Sequence, residues 1–339
     1  MYGGPRSRPT YYPGTADLGS AGRITVGAGN ELVVDVQLID STTVRVSGQV
    51  VSSDRRPPSV SLVSRAPGIG VLSGRVAPDG SFSVEGVPPG SYVLYTSTSS
   101  SKRPIEFALT EVTTGTDDVE GLVVRTTYGA TAAGTIAVNG GGDVPFRPED
   151  LQLFTMPQGL AEVPVGRGTG GVSNDWSFEI RGIGDAQLVR MIGLPEGWEL
   201  EAVLLNGRDI TDQPVRLPAD RTTPGFRVVV ADQTTRLRAV VVDTAGRAVG
   251  GAKVVIFPTD ATRWTYPSRF VRTARADQRG VIDVRGLPSE HYLAFAADDI
   301  PRGVETSPDV LEGFRPFATS FTLGTGETRD LSLPLREVP

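Results

Sequence analysis

The stretch that decides the fold is DGSFSVEGVPPGSY, residues 79–92. Asp79 and Gly80 form a turn signal, because glycine readily adopts the positive φ that tight turns require. Apolar and polar residues then alternate from Phe82 onward, which is typical of a strand with one buried face. The run GVPPG at 86–90 ends that strand and reverses the chain. The stretch therefore predicts one hairpin of an antiparallel sheet.

The same pattern recurs along the chain. Residues 277–292, DQRGVIDVRGLPSEHY, repeat it closely, and residues 175–183, DWSFEIRGI, repeat it more weakly. Apolar segments of similar character also recur before all three copies and after two of them, and such self-similarity predicts a tandem array. We therefore predict three units, at 41–127, 128–233 and 234–339, of which the second is divergent.

Each unit contains short apolar runs separated by turn residues, and none has a long helical periodicity. Strands at short, regular spacing in units of roughly 100 residues are typical of sandwiches. The sequence thus predicts an all-β fold of tandem antiparallel β-sandwiches. The best helix candidate is short, at residues 308–314, and is expected in a loop.

Residues 1–40 differ from the rest, because 24–38 match only the closing strand pair of a unit whose front half is missing. A lone two-stranded hairpin is marginal in water. Either an upstream part has been removed, or the hairpin packs on another domain or another subunit. The apolar residues that strand exchange with a partner would use are Ile24, Val26, Leu32, Val34, Val36 and Leu38.

Composition excludes several classes of function. The formal net charge is -6 and no basic stripe is present, which disfavours nucleic-acid binding. The absence of cysteine excludes disulfides, thiolate catalysis and iron–sulfur clusters. A single histidine, His291, excludes multi-histidine metal ligation, and its place in a repeat predicts a turn residue. We therefore expect no metal and no cofactor.

No apolar run approaches the roughly 18 residues of a membrane span, so none is expected. The first six residues, MYGGPR, lack the hydrophobic region of a signal peptide. The expected extracellular or cell-surface location therefore rests on the type of repeated domain, since these residues do not predict a signal peptide.

Motifs that could carry chemistry are weak. The run GRGTGG at 166–171 has the spacing of a dinucleotide loop, but a strand pattern follows it where such a site requires a helix. The carboxylates Asp209 and Asp212 lack the arrangement of a glycosidase or a calcium loop. No catalytic set can be nominated, and the chain is not expected to be an enzyme.

Aromatic residues give the remaining candidate site. Trp198 and Trp264 lie in regions particular to their own repeat copies, and together with Tyr11 and Tyr12 they form a candidate contact surface for a sugar or a protein. Trp176 falls within the repeated strand motif and is expected in a sandwich core.

The motifs VSGQVV at 46–51, DGSF at 79–82 and VPPGSY at 87–92 resemble the carboxypeptidase regulatory-like domain. This resemblance implies a seven-stranded, Ig-like or transthyretin-like sandwich related to the Cna B-type surface repeats. Other pieces are similar to large multi-repeat proteins of environmental bacteria: residues 9–15, 205–212 and 268–270. The resemblance implies a surface, adhesive or scaffold role and no peptidase domain.

Three hypotheses for function follow. The first is a non-catalytic extracellular structural or adhesive protein made of tandem β-sandwiches. The second is a subunit of an extracellular filament, assembled by strand exchange because exposed strand edges are templates for another chain. The third is a carbohydrate-binding accessory module of a secreted enzyme. The expected partners are other subunits or domains of the same protein, including a homopolymer, and glycans.

Overall fold

The computed structural model describes residues 10–15, 21–22, 24, 26, 31–39, 42–53, 58–65, 70–98, 105–140, 143–158, 163, 165–232, 234–300, 303–304 and 307–338. Strands dominate these residues, and the only α-helix among them, α1, spans Pro308–Phe314. The predicted all-β sandwich fold and the predicted short helix are therefore confirmed.

The chain divides into two compact units. The first comprises Met1–Ala130, Ala161–Gly166 and Ala219–Arg221, and the second comprises Thr131–Leu160, Arg167–Pro218 and Thr222–Pro339. The first sandwich lies in the first unit, and the third sandwich lies wholly in the second. The sequence-based boundaries of the domains stay a prediction.

The first sandwich contains strands β1 (Val44–Val51), β2 (Ser59–Ser64), β3 (Val71–Val76), β4 (Ser81–Val87), β5 (Gly90–Ser97), β6 (Phe107–Thr114) and β7 (Val119–Arg125). Their order is β6-β5-β2-β3-β4-β1-β7. Strand β3 pairs with both β2 and β4 and so joins the two sheets. The alternate apolar residues of the strands, Phe82 and Val84 among them, fill the core between the sheets.

The deciding stretch folds as the sequence indicates. Asp79 Oδ1 accepts hydrogen bonds from the N–H and the hydroxyl of Ser81, at 2.9 and 2.7 Å. Gly80 has φ +86°, and its carbonyl accepts from Val50 N–H at 2.9 Å. The hydroxyl of buried Tyr92 donates to Pro88 O at 2.8 Å, which fixes the second reversal.

The second sandwich contains strands β8 (Ala130–Asn139), β9 (Gln152–Pro157), β10 (Thr169–Gly171), β11 (Ser177–Ile183), β12 (Gln187–Ile192), β13 (Glu199–Leu205), β14 (Arg208–Asp209) and β15 (Thr222–Ala231). Their order is β12-β9-β10-β11-β8-β15-β13-β14. The run β12-β9-β10-β11-β8-β15 repeats the order β5-β2-β3-β4-β1-β7 of the first sandwich, and the divergent unit differs in β13 and β14, which lie beyond β15.

Trp176 holds the turn position that Gly80 holds in the first sandwich. It has φ 64°, its N–H donates to Ser173 O at 2.8 Å, and its carbonyl accepts from Ile136 N–H at 2.9 Å. The ring is half-buried and meets the edge of Phe146 at 6.1 Å. The expectation that Trp176 is a core strand residue is wrong, because β11 begins one residue later.

The third sandwich contains strands β16 (Arg236–Val242), β17 (Lys253–Pro258), β18 (Arg272–Arg275), β19 (Val281–Arg285), β20 (Glu290–Ala297), β21 (Thr319–Leu323) and β22 (Thr328–Arg336). The order is β18-β17-β20-β22-β16-β19, and β21 pairs with β20. Strands β17 and β20 are buried on both faces, since α1 and the 3-10 helix Ala261–Trp264 cover their outer side.

Each sandwich brings its last strand alongside its first in parallel: β1 with β7, β8 with β15, and β16 with β22. Among the described strand pairs with a stated register, the others are antiparallel, except for a short contact of β20 with β22. We call β7, β15 and β22 the closing strands. Their direction does not follow from side-chain alternation, which is the same in parallel and antiparallel strands.

Candidate functional site

The described residues contain no group of three or more histidine, aspartate or glutamate side chains that could hold a metal ion. No helix within the described ranges is both long enough and apolar enough to cross a membrane. The glycine-rich run at 166–171 continues into strand β10, so the helix that a dinucleotide site needs does not follow it.

A polar groove of about 850 Å³ lies in the second unit, between the second and third sandwiches. Strands β12 and β13 and the loop after β14 line one side, and the segment 260–272 lines the other. Its charged lining residues are Arg190, Glu199, Glu201, Asp209, Asp212, Asp260, Arg263, Arg269 and Arg272. We call these residues the groove cluster.

One carboxylate, that of Asp212, lies at the centre of the groove cluster. Arg269 Nε contacts both of its oxygens, at 2.9 and 3.0 Å, and Arg190 Nη2 lies 3.4 Å from Oδ1. Arg269 Nη1 also donates to Leu200 O at 3.1 Å, and Arg190 Nη1 donates to Thr211 O at 2.7 Å. Because Arg269 belongs to the third sandwich and Asp212 to the second, the network ties the two together.

Local turn chemistry places Asp212. Strands β13 and β14 are joined through Asn206, which has φ 51°, and Gly207. Asp209 Oδ1 then accepts from Thr211 N–H at 2.8 Å, and Thr211 Oγ1 accepts from Val203 N–H at 2.9 Å. Burial opposes ionisation of Asp209, but the Thr211 donors outweigh it and lower the pKa of the carboxyl.

Burial shifts the pKa values of three other residues of the groove cluster. It lowers the pKa of Arg190 and of Arg272, although both stay charged because guanidinium is so weakly acidic. Burial also raises the pKa of Glu199, against the opposing effect of Arg269. Arg272 Nη1 donates to Ser268 O and Val271 O, at 3.2 and 3.1 Å. Arg263, by contrast, contacts two carboxylates, those of Glu290 and Asp260, at 3.2 and 3.6 Å.

Trp264 is not part of the predicted contact surface, because only 2% of the residue is exposed. Its indole N–H donates to Pro258 O at 2.8 Å, and its ring meets the edge of Phe257 at 5.5 Å. Arg315 covers the ring at 4.9 Å from its centroid. The tryptophan is buried because it covers the outer face of β17, a layer that the sequence analysis did not anticipate.

The other predicted aromatic residues are half-buried. Trp198 packs edge-on against Phe146 at 5.1 Å. Tyr11 pairs through its backbone with Thr15, at 2.8 and 2.9 Å, around the turn that contains Tyr12. A contact surface at Trp198, Tyr11 and Tyr12 stays a prediction.

The histidine lies on the surface of the third sandwich. His291 is exposed at the start of β20, with Nδ1 2.9 Å from the hydroxyl of Thr322 on the neighbouring strand β21. It therefore lies within a strand pair rather than in the turn that the sequence analysis expected.

The predicted hairpin over 24–38 is not formed by the residues that the structure describes there: 24, 26 and 31–39 belong to no strand. Instead, Gln37 N–H donates to Pro13 O at 3.0 Å. The predicted strand-exchange residues are all exposed: Ile24 42%, Val26 54%, Leu32 56%, Val34 37%, Val36 43% and Leu38 83%. We call residues 31–39 the exposed segment.

Sequence reasoning missed Arg190, Glu199 and Arg272, which are long-range members of the groove cluster. A signal was present in two of the pieces singled out for their resemblance to multi-repeat proteins, 205–212 and 268–270. These pieces meet in the fold, through Asp212 and Arg269.

No protein-family model matches the sequence, and no curated protein matches it. The resemblance to the carboxypeptidase regulatory-like domain is therefore not confirmed.

Several solved structures match at low identity. The Bacillus anthracis TIE protein is 12% identical over 86% of this chain and 50% of that chain, with a TM-score of 0.22. A streptococcal ancillary pilin is 11% identical over 88% of this chain and 100% of that chain, with a TM-score of 0.26. BcpA, the major pilin subunit of Bacillus cereus, is 12% identical over 86% of this chain and 99% of that chain, with a TM-score of 0.22. At TM-scores this low, nothing is carried from these proteins to this chain.

Proposed function

We propose that this chain is a non-catalytic, extracellular structural or adhesive protein built from tandem β-sandwiches. The observation that carries this proposal is the groove cluster, the densest group of charged side chains described above. Its central carboxylate, Asp212, is held by Arg190 and Arg269, and the remaining contacts of these arginines go to backbone carbonyls. Two arginines from different sandwiches that share one carboxylate suit a joint between these sandwiches.

The test is a double-mutant cycle on Asp212→Ala and Arg269→Ala, with the free energy of unfolding of the second unit followed by tryptophan fluorescence. The three tryptophans, Trp176, Trp198 and Trp264, all lie in that unit. Partly buried charge pairs in such cycles couple more strongly than exposed ones. We expect a coupling energy above about 1 kcal/mol.

A matched control is the exposed pair Arg216 and Asp185 of the same unit, whose atoms lie 2.8 Å apart. Its coupling should stay below about 0.5 kcal/mol, as for surface ion pairs. If Asp212 and Arg269 couple no more strongly than this pair, the cluster is not a joint, and the structural proposal loses its support.

A second candidate is a filament subunit assembled by strand exchange, which the exposed segment favours. An extended stretch with an exposed apolar row offers an edge for pairing with another chain. Deletion of residues 1–40 should abolish filaments seen by negative-stain electron microscopy of the intact chain. Filaments that persist after the deletion would exclude this mode of assembly. No feature described above favours the carbohydrate-binding alternative.

A further inference from the structure

The exposed segment occupies a repeated place in the chain. Leu38 lies six residues before the start of β1, as Val124 lies six residues before β8 and Val230 six residues before β16. The two segments that end at Arg125 and Ala231 are the closing strands β7 and β15. Equal spacing thus aligns the exposed segment with a closing strand.

The alignment places apolar residues on core positions. Val34, Val36 and Leu38 correspond to Phe226, Val228 and Val230 of β15, which are 3%, 0% and 0% exposed. In β7, the residues that correspond to Val36 and Leu38 are Leu122, which packs against the first core, and Val124, which is 1% exposed. Val34 corresponds in β7 to exposed Glu120, so the match over all three apolar residues is with β15, where the three positions share the buried face.

The polar residues between them fit the opposite face. Asp35 and Gln37 correspond to Arg227 and Val229 of β15, which are exposed and half-buried. Because the apolar residues 34, 36 and 38 alternate with the polar residues 35 and 37, a shift of one residue would turn the polar side chains toward the core. The exposed segment therefore carries a defined register for a sheet with which it does not pair in this structure.

We propose that residues 31–39 are a closing strand that completes a β-sandwich other than the three of this chain, by pairing in parallel with that sandwich's first strand. The partner is a sandwich of the same repeat type whose own closing strand is absent. This proposal is an alternative to the filament candidate above: it keeps pairing through the exposed segment but places the acceptor outside this chain, so filaments of the intact chain that require residues 1–40 would support that candidate and overturn this one.

The resident closing strands define what the acceptor must offer. They pair with first strands in a fixed register, with Val228 opposite Ile136 and Val230 opposite Val138. In β1 and β8 a glycine permits the close approach, since a Cβ on Gly48 or Gly134 would lie 2.0 Å from the closing strand's carbonyl oxygen. Because β1, β8 and β16 each already hold a closing strand, the acceptor is a fourth sandwich.

The test grafts the exposed segment into the full chain in place of β22, Thr328–Arg336, which has the same length. Val34, Val36 and Leu38 then replace Leu331, Leu333 and Leu335 of the third core. The control graft has the same composition, with its apolar and polar positions exchanged. The readout is cooperative thermal unfolding followed by hydrogen exchange of β16 and by Trp264 fluorescence.

We expect the matched graft to protect β16 and to unfold cooperatively, and the exchanged graft to leave β16 unprotected. Equal behaviour of the two grafts, whether both folded or both unfolded, would overturn the assignment as a closing strand. This outcome is independent of the coupling between Asp212 and Arg269, so the two proposals fail separately.

A second measurement tests the acceptor. Sedimentation of the intact chain should give the same species for the wild type and for the triple variant Val34→Asp, Val36→Asp, Leu38→Asp, because no first strand of the chain is open. Self-association of the wild type that the triple variant abolishes would place the acceptor within a second copy of this chain and overturn the partner assignment.

Discussion

Glu106 joins three strand ends of the first sandwich, and its replacement gives the sharpest stability prediction. The side chain is only 4% exposed. Its carboxylate accepts from Ser52 Oγ at 2.7 Å, from Ser53 N–H at 3.1 Å, from the Ser53 hydroxyl, and from Thr126 Oγ1 at 2.6 Å. These donors follow β1 and β7, while Glu106 immediately precedes β6.

The magnitude follows from the pKa of Glu106. Burial opposes ionisation, but the hydroxyls of Ser53, Thr126 and Ser52 and the N–H of Ser53 outweigh it and lower the pKa to about 2. Relative to an ordinary glutamate, a shift of this size is worth roughly 3 kcal/mol of folding free energy near neutral pH. Since the folded-state pKa is the lower one, this stability is present above the unfolded pKa and is lost as the pH falls toward 2.

The assay is peptide-resolved hydrogen exchange of the full chain, which gives the opening free energy of β1 and β7. Glu106→Gln should lower that free energy by roughly 3 kcal/mol near pH 7, and the difference from the wild type should fall by more than half by about pH 3. Glu111→Gln is the matched control, because Glu111 lies on the adjoining strand β6 with its side chain 78% exposed. A loss that does not change with pH, or one equal to that of the control, would refute the reasoning.

Two further predictions concern packing. Trp264→Ala should destabilise the third sandwich by about 3–5 kcal/mol, because it leaves a cavity over β17 and an unpaired Pro258 carbonyl. Hydrogen exchange should become faster in β17 and β20 and stay unchanged in β1. A loss of stability under about 1 kcal/mol would contradict the burial of this ring. Gly48→Ala should destabilise the first sandwich by about 2 kcal/mol or more, because its Cβ would lie 2.0 Å from Leu122 O. Gly115→Ala, whose Cβ meets nothing within 4 Å, is the control for thermal unfolding, and equal losses in both variants would contradict the close approach.

Local features of the fold were readable from the sequence. The Asp79 turn, the alternation in β4 and the helix at 308–314 each depend on neighbours within a few residues, so the pattern contains what is needed. The repeated tyrosine illustrates this: the hydroxyls of Tyr92 and Tyr292 donate to Pro88 O and Pro288 O, each four residues earlier, at 2.8 and 2.7 Å.

Features that depend on distant residues were not readable. Trp264 was taken for a surface residue because the second apolar layer over β17 and β20 forms only when Leu311 and Phe314 fold back onto it. The unbroken apolar run VVIF in β17 is the pattern of a strand buried on both faces, but the sequence analysis did not use it. The groove cluster likewise needs Asp212 and Arg269, which come from different sandwiches.

The parallel pairing of first and closing strands has a mechanical consequence. Because both strands run in the same direction, the chain enters a sandwich at one end and leaves it at the other. Force applied between these ends loads the hydrogen bonds of β1 with β7, or of β16 with β22, together and lengthwise. Strands loaded in shear resist separation more than strands peeled apart bond by bond. In each sandwich, the first and closing strands are thus pulled in shear when its two ends are drawn apart.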